Sequence, residues 1–336
     1  MTLKQLKYLV GIVDSGLNIT SAADRLFTSQ PGISKQLKQL EAELGVQLFT
    51  RKGKSLAAIT PAGRDVIARA RKILREVENI TSLASDLTAE QEGTLSIATT
   101  HTQARYVLPE VIREFRQRYP KVDLELHQGT SEQIAELIST NKVDFAIATG
   151  SRHLFSHLTL LPVYRWHRIA PVPKQHPLAK QKAPLDLKTL AGYPLVTYVF
   201  SLTGESSFKR AFHDQGLEPR VVFTARDADI IKTYVRMGMG VGVIASMAFE
   251  CQDREDLVAL DARGLFPEVT TWIGFPRDMV LRGYMVDFIH LLAPHYTPRT
   301  IRDAAELTSQ EQVDEVLKEV ALPVRGGCEQ DAAAAA

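Results

Sequence analysis

Thr60-Pro61 opens a stretch in which Val66, Ile67, Ala70, Ile73, Leu74, Val77, Ile80, Leu83 and Leu87 recur at helical spacing. Threonine caps a helix through its side-chain oxygen, and proline suits the first turn, where the N–H it lacks would have no partner. A helix this long divides the chain into a head before it and a body after it. Its apolar stripe must also be covered by something. The head can cover part of it, and a second copy of the same helix would cover the rest. The spacing therefore predicts a linker and dimerisation helix over residues 60–91, ended by "AEQEGT", Ala89 to Thr94.

In the head, Leu3, Leu6, Leu9, Val10 and Val13 follow helical spacing behind Thr2, a plausible N-cap. After the Ser15-Gly16 break, a short Ala-rich helix over Ser21 to Phe27 is followed by a brief turn and a second helix opening at Ser29. Two helices joined so tightly read as helix-turn-helix. Ile33, Leu37, Leu40 and Leu44 supply the apolar stripe of the second helix, while Gln30, Ser34, Lys35 and Lys38 project elsewhere. Those side chains suit a major groove: Gln pairs bidentately with adenine, Ser with several base edges, Lys with guanine or phosphate. Ser29 as N-cap, with Pro31 in the first turn, leaves N–H groups where a phosphate can dock. The segment "VQLFTRKGKSLAAIT" alternates as a two-strand wing with Arg51, Lys52 and Lys54 around Gly53. Residues 1–91 hold 13 Lys/Arg against 9 Asp/Glu, a net of +4, and the remainder 27 against 30, a net of −3. A slightly basic head keeps a polyanion partner in play, and residues 1–59 are expected to be a winged helix-turn-helix that binds double-stranded DNA.

From Thr94 strands and helices alternate: "LSIATT", a helix around Tyr106–Tyr119, "VDLELHQG", a helix at Ser131–Ser139, "DFAIAT" and "LLPVYRWHRIAPV". A second set follows, with a helix near Leu185–Ala191, "PLVTYV", a helix at Glu205–Gln215, "RVVFTAR", a helix at Ala228–Met237, "VGVIAS" and "DLVAL". "TTWIGF" and a helix at Arg282–Ala293 are expected to rejoin the first set. This is the rhythm of a mostly parallel α/β architecture in two lobes, one over about residues 92–164 and 268–300, the other over about 165–267. In open α/β sheets ligands sit at the carboxyl ends of strands. Thr99–Gln103, Thr149 and Ser201–Gly204 all lie at such ends. Any one of these hydroxyls is explained as an N-cap. Three sets with one chemistry in one fold position instead predict a neutral cradle for a small, oxygen-rich anion, aided by helix N-termini. Residues 301–336 continue a helical pattern through "AAELTSQEQVDEVLKEV", capping the body or joining subunits, and finish in the disordered-looking "GGCEQDAAAAA".

Other chemistries find little support. No run of about 18 apolar residues is present, and "MTLKQLKYLV" begins an amphipathic pattern rather than a signal peptide, so a soluble cytoplasmic protein is expected. Cys251 and Cys328 form no C-x-x-C unit and read as reduced, incidental thiols. His101 has no neighbouring cysteine in sequence, and no G-x-S-x-G elbow exists. His153 and His157 stand four apart without a third metal ligand, and read as surface residues. The glycines of "MGMGVGVI" follow a helix and enter a strand, the reverse of the dinucleotide-binding order, and so predict a tight turn and close packing. Neither an enzyme, a cofactor nor a metal is expected. A solute-binding protein or a cleft enzyme are the competing classes; the head argues against both.

The stretch "AADRLFTSQPGISKQLKQLEAELGVQLFTRKGKSLAAITPAG" resembles the N-terminal signature of LysR-type transcriptional regulators, through Ala22, Ala23, Leu26, Ser29, Gln30, Ser34, Leu40, Glu41, Leu44, Gly45, Leu48, Phe49, Arg51, Thr60 and Gly63. The positions matching its DNA contacts are Ser29, Gln30, Pro31, Ser34, Lys35 and Arg51; the groove reading adds Lys38 and Lys52. Through "TTHTQARY", "YPLVTY", "VFTARDADIIKTYVRMGMGVGVIASMA" and "YMVDFI" the body is similar to the CysB/Cbl branch of that family. The resemblance implies an all-α winged helix-turn-helix domain with a long linker helix, then an α/β two-lobed, periplasmic-binding-protein-like effector domain. It implies an effector site at Thr100, Thr102, Gln103, Thr149, Trp166 and Thr203, filled by acetylserine, sulfate, thiosulfate or adenosine phosphosulfate. It further implies a homo-oligomer, a dimer of dimers, that acts with RNA polymerase, mainly as an activator, on promoters of sulfur assimilation and cysteine biosynthesis, or alternatively of organosulfur use. One departure stands out: Thr203-Gly204-Glu205 occupies the place where the branch commonly carries Thr-Gly-Arg.

Overall fold

The computed structural model describes the chain apart from residues 54, 88–91, 151, 182, 203–205, 278 and 327–336, and describes the backbone alone at 78 and 81–87. Lys54, Thr203, Gly204, Glu205, Cys328 and most of "GGCEQDAAAAA" therefore lie outside the described residues. The chain divides into two compact units, Met1–Glu90 and Gln91–Ala336.

The first unit is built from α1 (Leu3–Asp14), α2 (Ile19–Arg25), α3 (Gln30–Leu44), the hairpin β1 (Phe49–Lys52) and β2 (Ser55–Ile59), and α4 (Pro61–Leu87). Local chemistry sets most boundaries. Thr2 caps α1 in a reciprocal capping box with Gln5. The Asn18 carboxamide accepts from the N–H groups of Thr20 and Ser21 and starts α2 two residues before the Ala-rich pattern begins; the helix ends at Arg25 instead of Phe27. Ser29 caps α3, and Gly45 closes it in the left-handed region at φ 69°. Leu9, Ile12, Ala22, Ile33, Leu37 and Leu40 meet in one core, to which α4 contributes Ile67 and Ala70. Gly63 lets α4 approach the wing: a Cβ there would stand 2.1 Å from the Leu48 carbonyl oxygen. Further along α4, Ile73 and Ile80 are exposed.

The second unit runs β3 (Gly93–Thr99), α5 (His101–Tyr106), α6 (Leu108–Arg118), β4 (Val122–Gln128), α7 (Ser131–Ser139), β5 (Phe145–Thr149), β6 (Leu158–Trp166) and β7 (Arg168–Pro173). It continues with α8 (Leu187–Ala191), β8 (Leu195–Tyr198), α9 (Ser207–His213), β9 (Val221–Ala225), α10 (Ala228–Arg236), β10 (Val241–Ala245) and β11 (Leu257–Asp261). The last elements are β12 (Val269–Pro276), α11 (Gly283–Leu292), α12 (Pro298–Glu306), α13 (Gln310–Val316) and β13 (Val324–Arg325). Two sheets result, ordered β13-β6-β12-β5-β3-β4 and β11-β7-β10-β8-β9. The expected single strand "LLPVYRWHRIAPV" is divided at His167, with β6 in the first sheet and β7 in the second. The returning strand β12 rejoins the first sheet, as expected.

The sheets are mixed rather than mostly parallel. β3 runs parallel to β4 and β5, and β8 parallel to β9 and β10. β12, however, runs against β5 and β6, and β7 against β10 and β11. The chain leaves the first sheet along β6 and comes back along β12 beside it, so these two neighbours must point in opposite directions.

The first sheet packs on α6 and α11 through Phe115, Tyr119, Tyr284 and Phe288. Ile301, Ala304, Val313 and Leu317 join that core, so the tail helices cap the first lobe. Phe208, Phe212 and Phe266 centre one core of the second lobe. Gly238, at φ 77°, turns α10 into β10, and a Cβ on Gly240 would lie 2.3 Å from the Pro194 carbonyl oxygen; these glycines serve the tight turn and close packing. Cys251 is disulfide-bonded, which corrects its reading as a reduced, incidental thiol.

Candidate DNA-binding face and effector cleft

In the head, Ser29, Gln30, Pro31, Lys35, Lys38, Arg51 and Lys52 are exposed and Ser34 is half-buried. Helix α3 presents Gln30, Ser34, Lys35 and Lys38 away from its buried stripe of Ile33, Leu37 and Leu40. Gln30 Nε2 donates to Ser34 Oγ at 3.2 Å, which aligns two polar groups one helical turn apart. The Ser29 hydroxyl accepts from the Gly32 N–H at 3.3 Å, so it serves as a cap in the free protein.

Arg51 has an anchor that the sequence does not announce. The Glu41 carboxylate, 4 % exposed, accepts from the Leu48 and Phe49 N–H groups at 2.9 and 3.4 Å and takes Arg51 Nη2 at 3.2 Å. One buried carboxylate thus fixes the start of the wing and aims its arginine.

In the second unit, the expected strand-end residues separate into different roles. Thr99 is fully buried, and its hydroxyl donates to the Ile147 carbonyl at 2.9 Å, tying β3 to β5. Thr100 is the N-cap of α5, yet its side chain makes no capping hydrogen bond, which leaves its hydroxyl available. Gln103 is buried at the centre of a chain of hydrogen bonds: it accepts from the Tyr164 hydroxyl at 2.9 Å and donates through Nε2 to Thr149 Oγ1 at 3.0 Å. Thr149 Oγ1 stands 3.4 Å from Thr271 Oγ1, which accepts from Trp166 Nε1 at 3.2 Å. Gln103, Thr149 and Trp166, from three separate elements, are therefore brought together, with Tyr164 and Thr271 as links that sequence reading missed. Burial keeps the Tyr164 phenol protonated, pushing it up to about 12.

Thr102 faces the other lobe, where its side chain adjoins the Tyr198 hydroxyl. That hydroxyl, at the end of β8, accepts from the Ala245 N–H at 3.2 Å. Ser201 turns inward onto Thr197, 3.2 Å away. Helix α5 carries a second inter-lobe contact. The Tyr106 hydroxyl donates to Asp229 Oδ1 at 2.7 Å, and Arg105 meets Glu250 at 3.2 Å. Burial and the Asp229 carboxylate push the Tyr106 phenol far above its usual value.

Beneath these contacts Lys232, 2 % exposed, bonds Asp253 at 2.7 Å and the Ala248 carbonyl at 2.9 Å. His101, Asp227 and Asp229 could bring ligand atoms within 4.8 Å of one another. Lys232 Nζ at 3.4 Å and Arg105 Nε at 3.8 Å already balance Asp229, and a metal ion would have to compete with both. His153 and His157 are exposed. No helix among the described residues is long and apolar enough to cross a membrane.

Comparison with known proteins agrees with this division. Residues 3–64 match the family described as bacterial regulatory helix-turn-helix protein, lysR family, and residues 88–297 match the LysR substrate binding domain. The chain is 46 % identical over 325 residues to the HTH-type transcriptional regulator CysB of Haemophilus influenzae, covering 97 % of this chain and 100 % of that one. It is 40 % identical over 314 residues to the HTH-type transcriptional regulator cbl of Escherichia coli K12, covering 94 % and 99 %. Among solved structures, the cofactor-binding domain of the Cbl transcriptional regulator matches with a TM-score of 0.60 at 41 % identity, over 65 % of this chain and 96 % of that one.

Proposed function

Because the chain belongs to the LysR family of transcriptional regulators, in its CysB and Cbl branch, we propose that it controls sulfur-acquisition promoters from the cytoplasm in response to a small anion bound between its two lobes. The observation that carries the effector reading is the convergence of Gln103, Thr149 and Trp166 through Thr271, with Thr102 reaching Tyr198 of the opposite lobe. Thr100 offers a further donor. A ligand that binds both lobes changes their separation, because it favours the arrangement in which both sets of donors touch it. In an oligomer that change alters the spacing of the heads and hence the bend imposed on the promoter.

The exposed Ile73 and Ile80 on α4 fit cover by a second copy, which also supplies the second half-site reader, and two such pairs make a dimer of dimers that presents RNA polymerase with a bent promoter. On the DNA, Gln30, Ser34 and Lys35 read base edges, Lys38, Arg51 and Lys52 meet phosphates, and Ser29 and Pro31 shape the helix start.

Titration calorimetry of the full chain with sulfate, thiosulfate, acetylserine and adenosine phosphosulfate tests the effector half. At least one should bind, and Thr102→Val should weaken it; silence from all four refutes the effector reading. For the DNA half, Gln30→Ala should remove about 1–3 kcal/mol of discrimination at one base pair, and Lys38→Ala should lower the salt dependence of promoter binding by about one ion. Unchanged promoter binding in both variants refutes the assigned face.

A further inference from the structure

Arg168 is the first residue of β7, immediately after the chain crosses from one sheet to the other at His167. It is 5 % exposed, and its Nη1 is fully buried with no hydrogen-bond partner. Among the described residues no carboxylate stands within ion-pair distance of it. Its guanidinium lies over the Trp166 ring at 5.7 Å and the Phe266 ring at 5.5 Å. Aromatic rings attract the positive charge but accept few hydrogen bonds, so the N–H donors are left over. Buried arginines are ordinarily paired, because a charge withdrawn from water with nothing opposite it is costly.

The surroundings indicate what is missing. Arg168 pairs across the sheet with Ala245, whose N–H is bound to the Tyr198 hydroxyl that Thr102 also reaches. Trp166, beneath the guanidinium, donates to Thr271 and so joins the Gln103–Thr149 run. The unpartnered cation therefore lies over one end of the Gln103–Thr149–Thr271–Trp166 run, on a strand whose neighbour holds the Tyr198 hydroxyl. Burial pushes it down to about 10, which leaves it charged at neutral pH.

Resting on the effector reading above, we propose that Arg168 is the resident cation of the cleft and that the ligand's anionic group binds its free N–H donors directly. The cradle is then not neutral, as strand-end chemistry alone suggests, but a ring of hydroxyls and an amide around one fixed positive charge. A planar fork of donors favours an oxyanion with two oxygens to offer, such as sulfate or a carboxylate, over a monatomic anion.

The test is titration of the full-length protein with sulfate and with chloride, using wild type, Arg168→Met, Arg168→Lys and Thr102→Val. Charge-assisted bidentate bonds lost in a dry site predict that Arg168→Met weakens sulfate by on the order of 10- to 100-fold, with Arg168→Lys intermediate. A merely structural arginine would lower the unfolding midpoint of the ligand-free protein. A counter-charge for the ligand predicts a ligand-free midpoint equal to or above wild type, together with loss of the stabilisation that sulfate gives wild type. Wild-type sulfate affinity in Arg168→Met overturns the proposal, and if Thr102→Val is impaired in the same series the cleft itself stands. Absence of sulfate binding in wild type overturns the Arg168 assignment, and the effector reading falls with it only if thiosulfate, acetylserine and adenosine phosphosulfate are silent too. If Arg168→Met does not fold, Arg168→Lys decides: it keeps the charge but loses the fork, so wild-type affinity there overturns the assignment.

Discussion

Replacing Lys232 by methionine should cost the second unit about 2–3 kcal/mol. Lys232 is enclosed, with Asp253 at 2.7 Å, the Ala248 carbonyl at 2.9 Å and Asp229 at 3.4 Å around its ammonium group. Breaking a buried pair by removing one partner typically costs about 3–5 kcal/mol, because the other charge is left in a poor environment. Asp253 would not be abandoned completely: Arg236 Nη2 at 2.6 Å and the Glu250 N–H at 2.8 Å remain, and methionine fills much of the lysine stem's volume. Those contacts bring the expected loss to the lower figure.

The assay follows from the composition. The chain's two tryptophans, Trp166 and Trp272, both lie in the second unit, so their emission during urea unfolding follows that unit alone. The midpoint should fall at unchanged slope. Lys142→Met, at an exposed position, should stay within about 0.5 kcal/mol of wild type. In a double-mutant cycle, adding Asp253→Asn should cost less in the Lys232→Met background than alone. A midpoint for Lys232→Met equal to that of Lys142→Met would refute the reasoning.

Three further outcomes are expected. Burial raises the Asp253 carboxyl, but Lys232 and Arg236 outweigh it and hold it below the usual range; the stabilisation is therefore complete above the unfolded value of about 3.9 and lost as pH falls through the lower folded value. Unfolding followed by tryptophan emission should show a fall in stability below about pH 4 that is shallower in Asp253→Asn. Glu41→Gln should destabilise the first unit by about 1–3 kcal/mol, since hydrogen bonds to a buried charge are lost, and should weaken promoter binding by releasing Arg51, as read by circular dichroism and gel shift. Gly63→Ala should cost about 2–3 kcal/mol, because the new methyl meets the Leu48 backbone rather than a side chain that can move aside; a melting temperature unchanged from wild type would contradict the close approach.

The parts of the molecule legible in the sequence are those governed by local chemistry. Thr2, Ser29 and Thr60-Pro61 start α1, α3 and α4 where capping rules place them, because caps act within one turn. The switch at His167 is not legible: alternation continues smoothly from β6 into β7, and nothing within a few residues distinguishes a strand that stays in its sheet from one that changes sheets. The two-residue strand β13 is too short to leave a pattern. In the cleft, Thr100, Thr102, Gln103 and Thr149 are visible as polar residues at strand ends. Tyr164, Tyr198 and Thr271 are not, because their roles depend on partners far along the chain: Gln103 bonds Tyr164, 61 positions away, and Trp166 bonds Thr271, 105 positions away. Arg168 reads as one more charge in a strand until burial shows that it has no opposite among the described residues.

The chain's last described strand bears on how the lobes move. β13 lies beside Arg165 and Trp166 in the first sheet, while the Arg325 carbonyl accepts from Ser246 Oγ, just past β10 of the second, at 3.2 Å. The tail is thus a stitch sewn through both sides of the joint. The match to the LysR substrate binding domain ends at residue 297, well before this stitch. A fragment cut at that point would keep the residues assigned to the cleft but lose both this stitch and the α12–α13 share of the first lobe's core, so an affinity measured on it should differ from that of the whole protein.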